Sequence, residues 1–304
     1  MSRNKKNYII VTGGAGFVGS NLIEFLIKKT NKKIISIDNY SSGTKKNHIK
    51  SKQVKYINDN VINTKSRLNK IKKKIDTIFH FGEFARIHQS FYKINECLNS
   101  NINATAEIIK FCLENKIRII YSATSASLGN NGLDQGLSPY AFSKSKNLKL
   151  MIYLNKWFGF KYEALYFYNV YGKRQIQRGN MATVIGIFED KFKNNKPLPV
   201  VKPGNQSRTF THIQDTVEGC YYAYKNKKNR HYALSYNNSL SILQIAKLFG
   251  GNIKFLLQRK GERKKSSHPN KIGKIKIFKY RCKRDIKTYI KNFKNNFIKL
   301  NQKK

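Results

Sequence analysis

Tyr140 and Lys144 stand four residues apart and form the clearest catalytic pattern in the sequence. In a helix, side chains at this spacing lie on one face. A free tyrosine has a pKa of about 10 and is a poor base at neutral pH, but a neighbouring ammonium and any cationic cofactor ring stabilise its phenolate. Lowering the pKa by about three units takes about 4 kcal/mol. Such a tyrosine can take a proton from a hydroxyl group while hydride leaves the same carbon.

A second pattern is the run of hydroxyl side chains in Tyr121-Ser122-Ala123-Thr124-Ser125-Ala126-Ser127-Leu128-Gly129. A hydroxyl here could hydrogen-bond the reacting oxygen and share its proton. A turn rich in serine and threonine would have the same composition. The tyrosine–lysine spacing is also common in a lysine-rich chain, so both patterns need support from their surroundings.

The glycines Gly13, Gly16 and Gly19 follow the spacing G-x-x-G-x-x-G between an apolar run and an amphipathic stretch. Glycines at a strand-to-helix turn allow a tight bend and a close approach of the backbone to a pyrophosphate. The N-terminus of the helix then offers free N–H groups to the phosphates. This pattern predicts a dinucleotide site.

Two acidic residues follow the next two apolar runs. Asp38 stands about 20 residues after the last glycine, where an acid accepts hydrogen bonds from the adenosine ribose. Because its charge would repel a 2′-phosphate, it predicts NAD rather than NADP as the cofactor. Asp59 follows the third apolar run and could reach the adenine, although a loop acid at this point is common.

The elements that must position these residues alternate regularly over the first 168 residues. Short apolar runs predict strands at 8–12, 33–38, 54–57, 75–81, 116–122 and 162–168. Amphipathic stretches predict helices at 20–29, 64–73, 94–115 and 139–159. Strand–helix alternation with nearly continuous apolar strands is typical of a parallel, doubly wound α/β sheet.

The pattern changes after Asn169. Helices are predicted at 181–193, 213–224 and 241–249, and the last fifty residues are very basic with only short apolar runs. We interpret residues 1–168 as one domain and residues 169–304 mainly as a smaller, irregular lobe over the carboxyl edge of the sheet. Some segments of the lobe are expected to return to the first domain.

The composition excludes few classes of protein. Sixty Lys+Arg against 16 Asp+Glu give a net charge of +44, but the lysines are spread from end to end together with many Asn and Ile residues, as an AT-rich genome would encode. A specific nucleic-acid role is therefore not expected; strong salt-dependent DNA binding without a bound cofactor would support one. The four cysteines show no metal or disulfide spacing, and no apolar run approaches a membrane span. We expect a cytoplasmic protein with no metal and no membrane insertion.

Taken in order, these segments resemble the extended short-chain dehydrogenase/reductases, in particular the NAD-dependent epimerase/dehydratase group. The resemblance covers nearly the whole chain. Besides the glycines and Asp38, it includes Phe79-His80-Phe81-Gly82-Glu83, Ser138-Pro139-Tyr140, Tyr166-Phe167-Tyr168-Asn169-Val170-Tyr171-Gly172 and Arg208-Thr209-Phe210-Thr211-His212-Ile213-Gln214-Asp215. It implies a Rossmann-type sheet with a C-terminal substrate-binding lobe, and a nucleotide-diphosphate sugar as the substrate.

The resemblance also implies roles for single residues. Counting back from Gly129, it places the catalytic hydroxyl on Thr124, and it makes Tyr140 the general base with Lys144 as its partner. The residues implied at the substrate diphosphate are Asn169, Arg208 and Arg259, and the guanidinium forks of the two arginines match phosphate oxygens. The residues expected at NAD are Gly13, Gly16, Phe17, Val18, Gly19, Asp38, Asn39, Asp59, Tyr140 and Lys144.

The residues after Thr124 narrow the reaction. Dehydratases of the group typically place Asp-Glu there, and decarboxylases usually keep a Glu, whereas this chain has Ser125-Ala126. Their absence favours C4 epimerisation of a UDP-hexose through a 4-keto sugar. Gly82-Glu83 replaces the usual Ala-Ala, so an acidic group is expected near the cofactor.

Several alternatives stay open. Heptose-type epimerases share segments like Gly179-Asn180-Met181-Ala182, and dehydratases and reductases use the same tyrosine and lysine. A catalytically idle NAD-binding protein is a further alternative. The resemblance also implies a homodimer formed through two helices of each subunit, one of which carries Tyr140 and Lys144.

Overall fold

The structure, a computed structural model, describes residues 6–128, 134–228, 230–258, 261 and 268–302. Its strands are β1 Tyr8–Thr12, β2 Lys33–Asp38, β3 Val54–Asn58, β4 Ile75–His80, β5 Arg118–Thr124, β6 Tyr162–Phe167, β7 Asn169–Tyr171, β8 Leu198–Val201, β9 Ser207–His212, β10 His231–Ser235, β11 Ser239–Ser241, β12 Ile253–Leu256, β13 Lys271–Ile272 and β14 Ile275–Arg281. Its helices are α1 Phe17–Lys29, α2 Thr64–Leu68, α3 Ile94–Leu98, α4 Thr105–Glu114, α5 Pro139–Phe158, α6 Val184–Lys193, α7 Ile213–Asn226, α8 Ile242–Phe249 and α9 Ile286–Gln302.

Among the described residues, nine strands form one sheet in the order β13-β14-β10-β6-β5-β4-β1-β2-β3. All neighbouring pairs are parallel except β13 and β14. The chain reverses its direction of winding between β1 and β4, and ligands of such sheets bind at the carboxyl ends of the strands near this point. The predicted doubly wound α/β fold, with a smaller C-terminal lobe, is confirmed.

Helices cover both faces of the sheet, which explains why the central strands β1, β2, β4 and β5 are almost wholly buried. Side chains alternate between the faces of a strand. On β1, Ile10 packs in a core with Ile108 of α4, whereas Ile9 and Val11 pack on the other face with Leu22 of α1. All five side chains are fully buried.

The predicted helix over 94–115 is present, but it is not a regular α-helix throughout. Between α3 and α4, residues Asn99–Ala104 form a π-helical segment. Such segments are frequent at functional sites because they shift backbone carbonyls out of the regular ladder. Here the carbonyl of Asn101 accepts a hydrogen bond from the amide of Asn147 on α5.

The lobe has its own core and its own small sheets. β7, β9 and β11 form one sheet, and β8 pairs with β12. Phe188 of α6, Phe249 of α8 and Ile290 of α9 pack in this core. Meanwhile α7 packs on α1, and β10, β13 and β14 extend the large sheet, so parts of the C-terminal half lie against the N-terminal half.

The basic C-terminal region is more regular than its composition suggested. Residues 286–302 form α9, although we expected only short apolar runs there. Its apolar side chains recur at helical spacing: Ile286, Tyr289, Ile290, Phe293 and Phe297. Because many lysines stand between these apolar residues, their helical periodicity was not identified from the sequence. Within the described residues, no helix is both long and apolar enough to span a bilayer.

Candidate active site

The glycine turn after β1 is built for close backbone contacts. Gly13 has a φ of +70°, and a Cβ at this position would lie 2.8 Å from the backbone of Phe81 and Gly82. A Cβ at Gly19 would lie 2.1 Å from the carbonyl oxygen of Gly13. Only glycine therefore fits at both positions. The helix α1 begins directly after the turn, with Gly16 as its N-cap, so no side chain caps its first N–H groups. Uncapped N–H groups at a helix N-terminus are suited to bind a phosphate.

Asp38 ends β2 and lies against this turn. Its carboxylate accepts hydrogen bonds from the backbone N–H groups of Ala15, at 2.9 Å, and Tyr40, at 2.8 Å. Burial raises the pKa of the Asp38 carboxyl, and these N–H groups oppose the rise. The carboxylate is thus fixed next to the glycine turn, as a residue that bonds a ribose of the bound dinucleotide would have to be.

Asp59 is placed differently. Its carboxylate accepts bonds from the Asn60 backbone, the Asn63 amide and the Arg67 guanidinium, all on its own segment. The side-chain amide of Asn63 and the guanidinium of Arg67 lower the pKa of the Asp59 carboxyl. A contact between Asp59 and adenine stays a prediction.

One cavity of about 1110 Å³ joins most of the predicted site residues. Its walls are formed by residues that follow β1, β2, β4, β5 and β6, at the carboxyl edge of the sheet, and by residues of the lobe. The sequence-predicted residues that line it are Gly13, Gly16, Phe17, Val18, Gly19, Asp38, Asn39, Thr124, Tyr140, Lys144, Asn169 and Arg208. Arg259 lies outside the described residues.

Thr124 is the last residue of β5 and is buried. Its hydroxyl oxygen accepts a hydrogen bond from the backbone N–H of Ala126 at 3.1 Å and caps the short turn Ser125–Ser127. Ser125 and Ala126 also line the cavity. The turn thus presents hydroxyl and methyl groups to the cavity beside Thr124, where we expected no carboxylate.

Tyr140 and Lys144 lie in the first turns of α5. The helix starts sharply because the Ser138 hydroxyl accepts a bond from the Ala141 N–H and Pro139 fits the first helical position. The backbone N–H of Tyr140 donates to the Ser90 hydroxyl at 3.2 Å, which ties this turn to the segment after β4. Both side chains line the cavity.

Lys144 is engaged by residues other than Tyr140. Its ammonium forms a buried ion pair with Glu83, and the two side chains are 4% and 1% exposed. It also donates to the carbonyl oxygen of Ser122 at 2.7 Å and to its hydroxyl at 3.2 Å, and it lies 4.9 Å from the Tyr121 ring centre. The acidic side chain of Glu83 therefore lines the cavity and contacts the lysine directly; its nearness to the cofactor stays a prediction.

The lobe contributes Asn169 and Arg208. The Asn169 amide donates to the carbonyl oxygen of Thr209 at 3.1 Å, and the Arg208 guanidinium donates to the carbonyl oxygen of Ser207 at 2.9 Å. Strands β7 and β9, which carry them, pair in parallel. Neighbouring strands thus bring both side chains to one wall of the cavity.

Arg86 lines the cavity but was not identified from the sequence. Its guanidinium donates to the carbonyl oxygens of Met181 and Ala85, and among the described residues no carboxylate lies within ion-pair distance. Burial lowers the pKa of Arg86, and the nearby Tyr140 opposes this effect. A lone arginine in a chain with 60 basic residues has no distinguishing pattern, so only the fold reveals it.

Sequence comparisons identify the family of the chain. A profile of the NAD dependent epimerase/dehydratase family matches residues 9–237. The chain is 30% identical over 256 residues to ADP-L-glycero-D-manno-heptose-6-epimerase of Brachyspira hyodysenteriae, covering 79% of each chain. It is 32% identical over 232 residues to the uncharacterized UDP-glucose epimerase YtcB of Bacillus subtilis, covering 69% of this chain and 70% of that one.

The fold has a close counterpart among solved structures. The crystal structure of UDP-glucose 4-epimerase with UDP-glucose from Thermotoga maritima superposes with a TM-score of 0.84 at 21% identity, covering 96% of this chain and 99% of that one. The glycine turn, the fixed Asp38 carboxylate and the cavity that joins them to Tyr140 fit a bound dinucleotide. This chain belongs to the NAD-dependent epimerase/dehydratase family, and NAD is its cofactor.

Proposed function

We propose that this protein is a nucleotide-sugar 4-epimerase that acts on a UDP-linked hexose. The observation that carries the proposal is the wall of the cavity after β5. Thr124 is followed by Ser125 and Ala126, which offer no acid or base for eliminating water or for handling a sugar carboxylate. The tyrosine and lysine required for oxidation at C4 line the same cavity.

Tyr140 acts as the base in this proposal. Its phenolate takes the proton of the C4 hydroxyl, and the positive charge of Lys144 stabilises the phenolate. The Thr124 hydroxyl donates a hydrogen bond to the same oxygen. Bound NAD supplies a reversible hydride acceptor for C4. When the reaction reverses, Tyr140 returns the proton to the C4 oxygen.

Inversion at C4 requires the 4-keto sugar to present its other face while the diphosphate stays in place. Arg208 and Asn169, on neighbouring strands of the lobe, are suited to hold the diphosphate. Arg86 has no acidic partner among the described residues and is suited to face an anionic or hydroxyl-rich part of the substrate. A cavity of about 1110 Å³ leaves room for the sugar to turn.

The test is incubation of the purified protein with UDP-glucose, UDP-galactose and their N-acetyl analogues, followed by NMR of the anomeric protons. Interconversion of a C4 pair supports the proposal and names the sugar. Unchanged sugars together with tightly bound NAD would leave the family assignment intact but would exclude UDP-hexoses as the substrates.

A heptose 6-epimerase is the second candidate, because the Brachyspira hyodysenteriae relative with that name matches 79% of this chain. The same tyrosine and lysine would then serve oxidation at C6 of an ADP-heptose. Adding ADP-heptose to the NMR series distinguishes the two candidates, since only one of the substrates should be epimerised.

We also propose that the protein is a homodimer. Helix α5 carries a stripe of exposed apolar side chains at helical spacing, including Phe142, Leu150, Tyr153 and Trp157. An exposed apolar stripe of this kind is typical of a subunit interface. A second copy of the same helix would cover it by twofold symmetry.

A further inference from the structure

A buried carboxylate beside the catalytic lysine is the least expected feature of this site. Glu83 follows β4 and reaches Lys144 of α5. Its other partners are the hydroxyl of Thr105 at 3.1 Å, the hydroxyl of Tyr121 at 3.1 Å, the hydroxyl of Ser122 at 3.4 Å and the amide of Asn147 at 3.4 Å. Thr105, Tyr121 and Asn147 can donate to the carboxylate, whereas the Ser122 hydroxyl has a nearer acceptor in the carbonyl oxygen of His80. With these donors and the Lys144 ammonium around it, the site favours Glu83 as an ionised acceptor.

A chain of hydrogen bonds fixes the direction of this network. The Thr12 hydroxyl oxygen accepts from the backbone N–H groups of Phe81 and Gly82, so its own proton points to Nδ1 of His80, at 2.8 Å. His80 must then donate from Nε2 to the Thr105 hydroxyl, at 2.9 Å. The Thr105 proton then has Glu83 as its nearer acceptor, at 3.1 Å, and the carbonyl oxygen of Ser100 as its farther one, at 3.5 Å. The backbone N–H groups of Phe81 and Gly82, after β4, thus orient the carboxylate through the side chains of Thr12, His80 and Thr105.

Lys144 has no N–H group left over in this arrangement. An ammonium has three donors, and the structure gives them three acceptors: Glu83, the carbonyl oxygen of Ser122 and the hydroxyl of Ser122. The Ser122 hydroxyl can accept because its own proton points to the carbonyl oxygen of His80, at 3.0 Å. Lys144 therefore influences Tyr140 through its charge while Glu83 and Ser122 hold its position.

Glu83 and Lys144 are the charged groups of this network. Burial lowers the pKa of His80 to about 4, with Glu83 opposing and Lys144 adding to the effect, so the imidazole is neutral at neutral pH. Burial raises the pKa of Tyr121 and that of Cys97, so both stay protonated. The other titratable or charged side chains around this pair are His80 on β4, Arg86 after β4, Cys97 on α3, Tyr121 on β5 and Tyr140 on α5.

We propose that Glu83 is a positioning residue for the reaction, because it holds the Lys144 ammonium against Ser122 and opposes, by its negative charge, the loss of a proton from the Lys144–Tyr140 pair. The proposal rests on the proposed function only in taking Tyr140 as the base. It predicts that the Lys144–Tyr140 pair loses a proton at a higher pH in this protein than it would without the negative charge of Glu83. Because the two groups are coupled, the prediction concerns the apparent pKa of the pair.

The test is a titration of the Tyr140 phenolate by ultraviolet absorbance in the NAD-loaded protein, taken as the difference between each protein and the same protein with Tyr140→Phe. Glu83→Gln removes the charge and keeps the shape. We expect the midpoint to fall by about one pH unit, because the substitution removes a negative charge that disfavours the phenolate. Glu83→Asp keeps the charge and should stay near the native midpoint.

Tyr121→Phe is the matched control, because it removes one hydrogen bond to Glu83 and no charge; its midpoint should not move. Glu83→Ala should shift the midpoint as Glu83→Gln does, and it serves if the glutamine variant does not fold. An unchanged or higher midpoint in both uncharged variants would overturn the proposal. The titration needs no substrate. It therefore tests the role of Glu83 even if the protein epimerises none of the sugars.

Discussion

The carboxylate of Asp38 lies 2.9 Å from the backbone nitrogen of Ala15, so the end of β2 is bonded directly to the glycine turn after β1. One oxygen is used by this bond and the other by the N–H of Tyr40. Each carboxylate oxygen has a second lone pair. The carboxylate can therefore brace the turn and accept bonds from ribose hydroxyls at the same time.

Replacing Asp38 by Asn should weaken NAD binding about tenfold and reduce the preference for NAD over NADP. The charge that attracts ribose hydroxyls and repels a 2′-phosphate is then lost, and a hydrogen bond to a charged group contributes about 1.5–3 kcal/mol. Calorimetric titration with both dinucleotides measures this. Asp190→Asn, which changes a carboxylate paired with Arg178, is the control. An unaltered NAD preference in Asp38→Asn would contradict the assigned role.

Thr124→Val should lower kcat by about a hundredfold and change KM little. The substitution keeps the shape of the side chain but removes the hydroxyl that bonds the reacting oxygen, and single donors of this kind are worth 10²–10³ in other enzymes. Steady-state kinetics on the substrate found by NMR provide the measurement. Thr124→Ser keeps a hydroxyl and should retain most of the activity. Equal losses of kcat in the two variants would show that the hydroxyl does not contribute to catalysis.

Much of the fold could be predicted from the sequence because its strands are buried on both faces. The apolar run over 8–12, for example, predicts a strand with the bounds observed for β1, Tyr8–Thr12. The lobe was harder to predict, because its core is assembled from short segments that lie far apart in the sequence. The period of α9 was obscured by lysine, and the π-helical segment Asn99–Ala104 changes hydrogen bonding without changing the apolar pattern.

The site was predictable where chemistry constrains spacing along the chain. Gly13, Gly19 and the pair Tyr140 and Lys144 lie within single turns, so their geometry is local. Partners far apart in the chain could not be found this way. Glu83 lies 61 residues from Lys144, and only the parallel order of β4 and β5 brings the segments that carry them together.

Glu24 joins α1 to the segment after β7, and its removal should cost stability in a pH-dependent way. Burial raises the pKa of Glu24, but bonds from Arg174 and Lys173 outweigh this and lower it to about 2. Because the folded pKa lies below the unfolded value, the stabilisation is complete above about pH 4.5 and is lost as the pH falls towards 2. At pH 7, Glu24→Gln should lower the free energy of unfolding by about 1 kcal/mol, a figure reduced because the side chain is partly exposed.

Urea unfolding at pH 7 and at pH 4 measures this difference between Glu24→Gln and the native chain. The difference in the free energy of unfolding between the two proteins should be smaller at pH 4 than at pH 7. Glu114→Gln, which breaks an exposed pair with Lys65, should have little effect at either pH. A gap that widened on acidification would contradict the sign of the shift.

The proposed dimer predicts that a charge on the exposed stripe of α5 separates the subunits. Leu150→Glu places a carboxylate in the apolar interface, where burying it without a partner is costly. Light scattering after size exclusion should give twice the chain mass for the native protein and one chain mass for the variant. Lys225→Glu, on α7 at the opposite face of the sheet, should stay dimeric. A monomeric native protein would refute the interface.

The most direct test of the central claim is NMR of the anomeric protons of a UDP-hexose incubated with the native protein and with Tyr140→Phe. We predict interconversion of the C4 epimers by the native protein and a loss of about 10²–10⁴-fold in the variant, the usual contribution of a general base. NAD binding should be retained in the variant. Equal rates in the two proteins, or no C4 interconversion of any UDP-hexose by the native protein, would contradict the account.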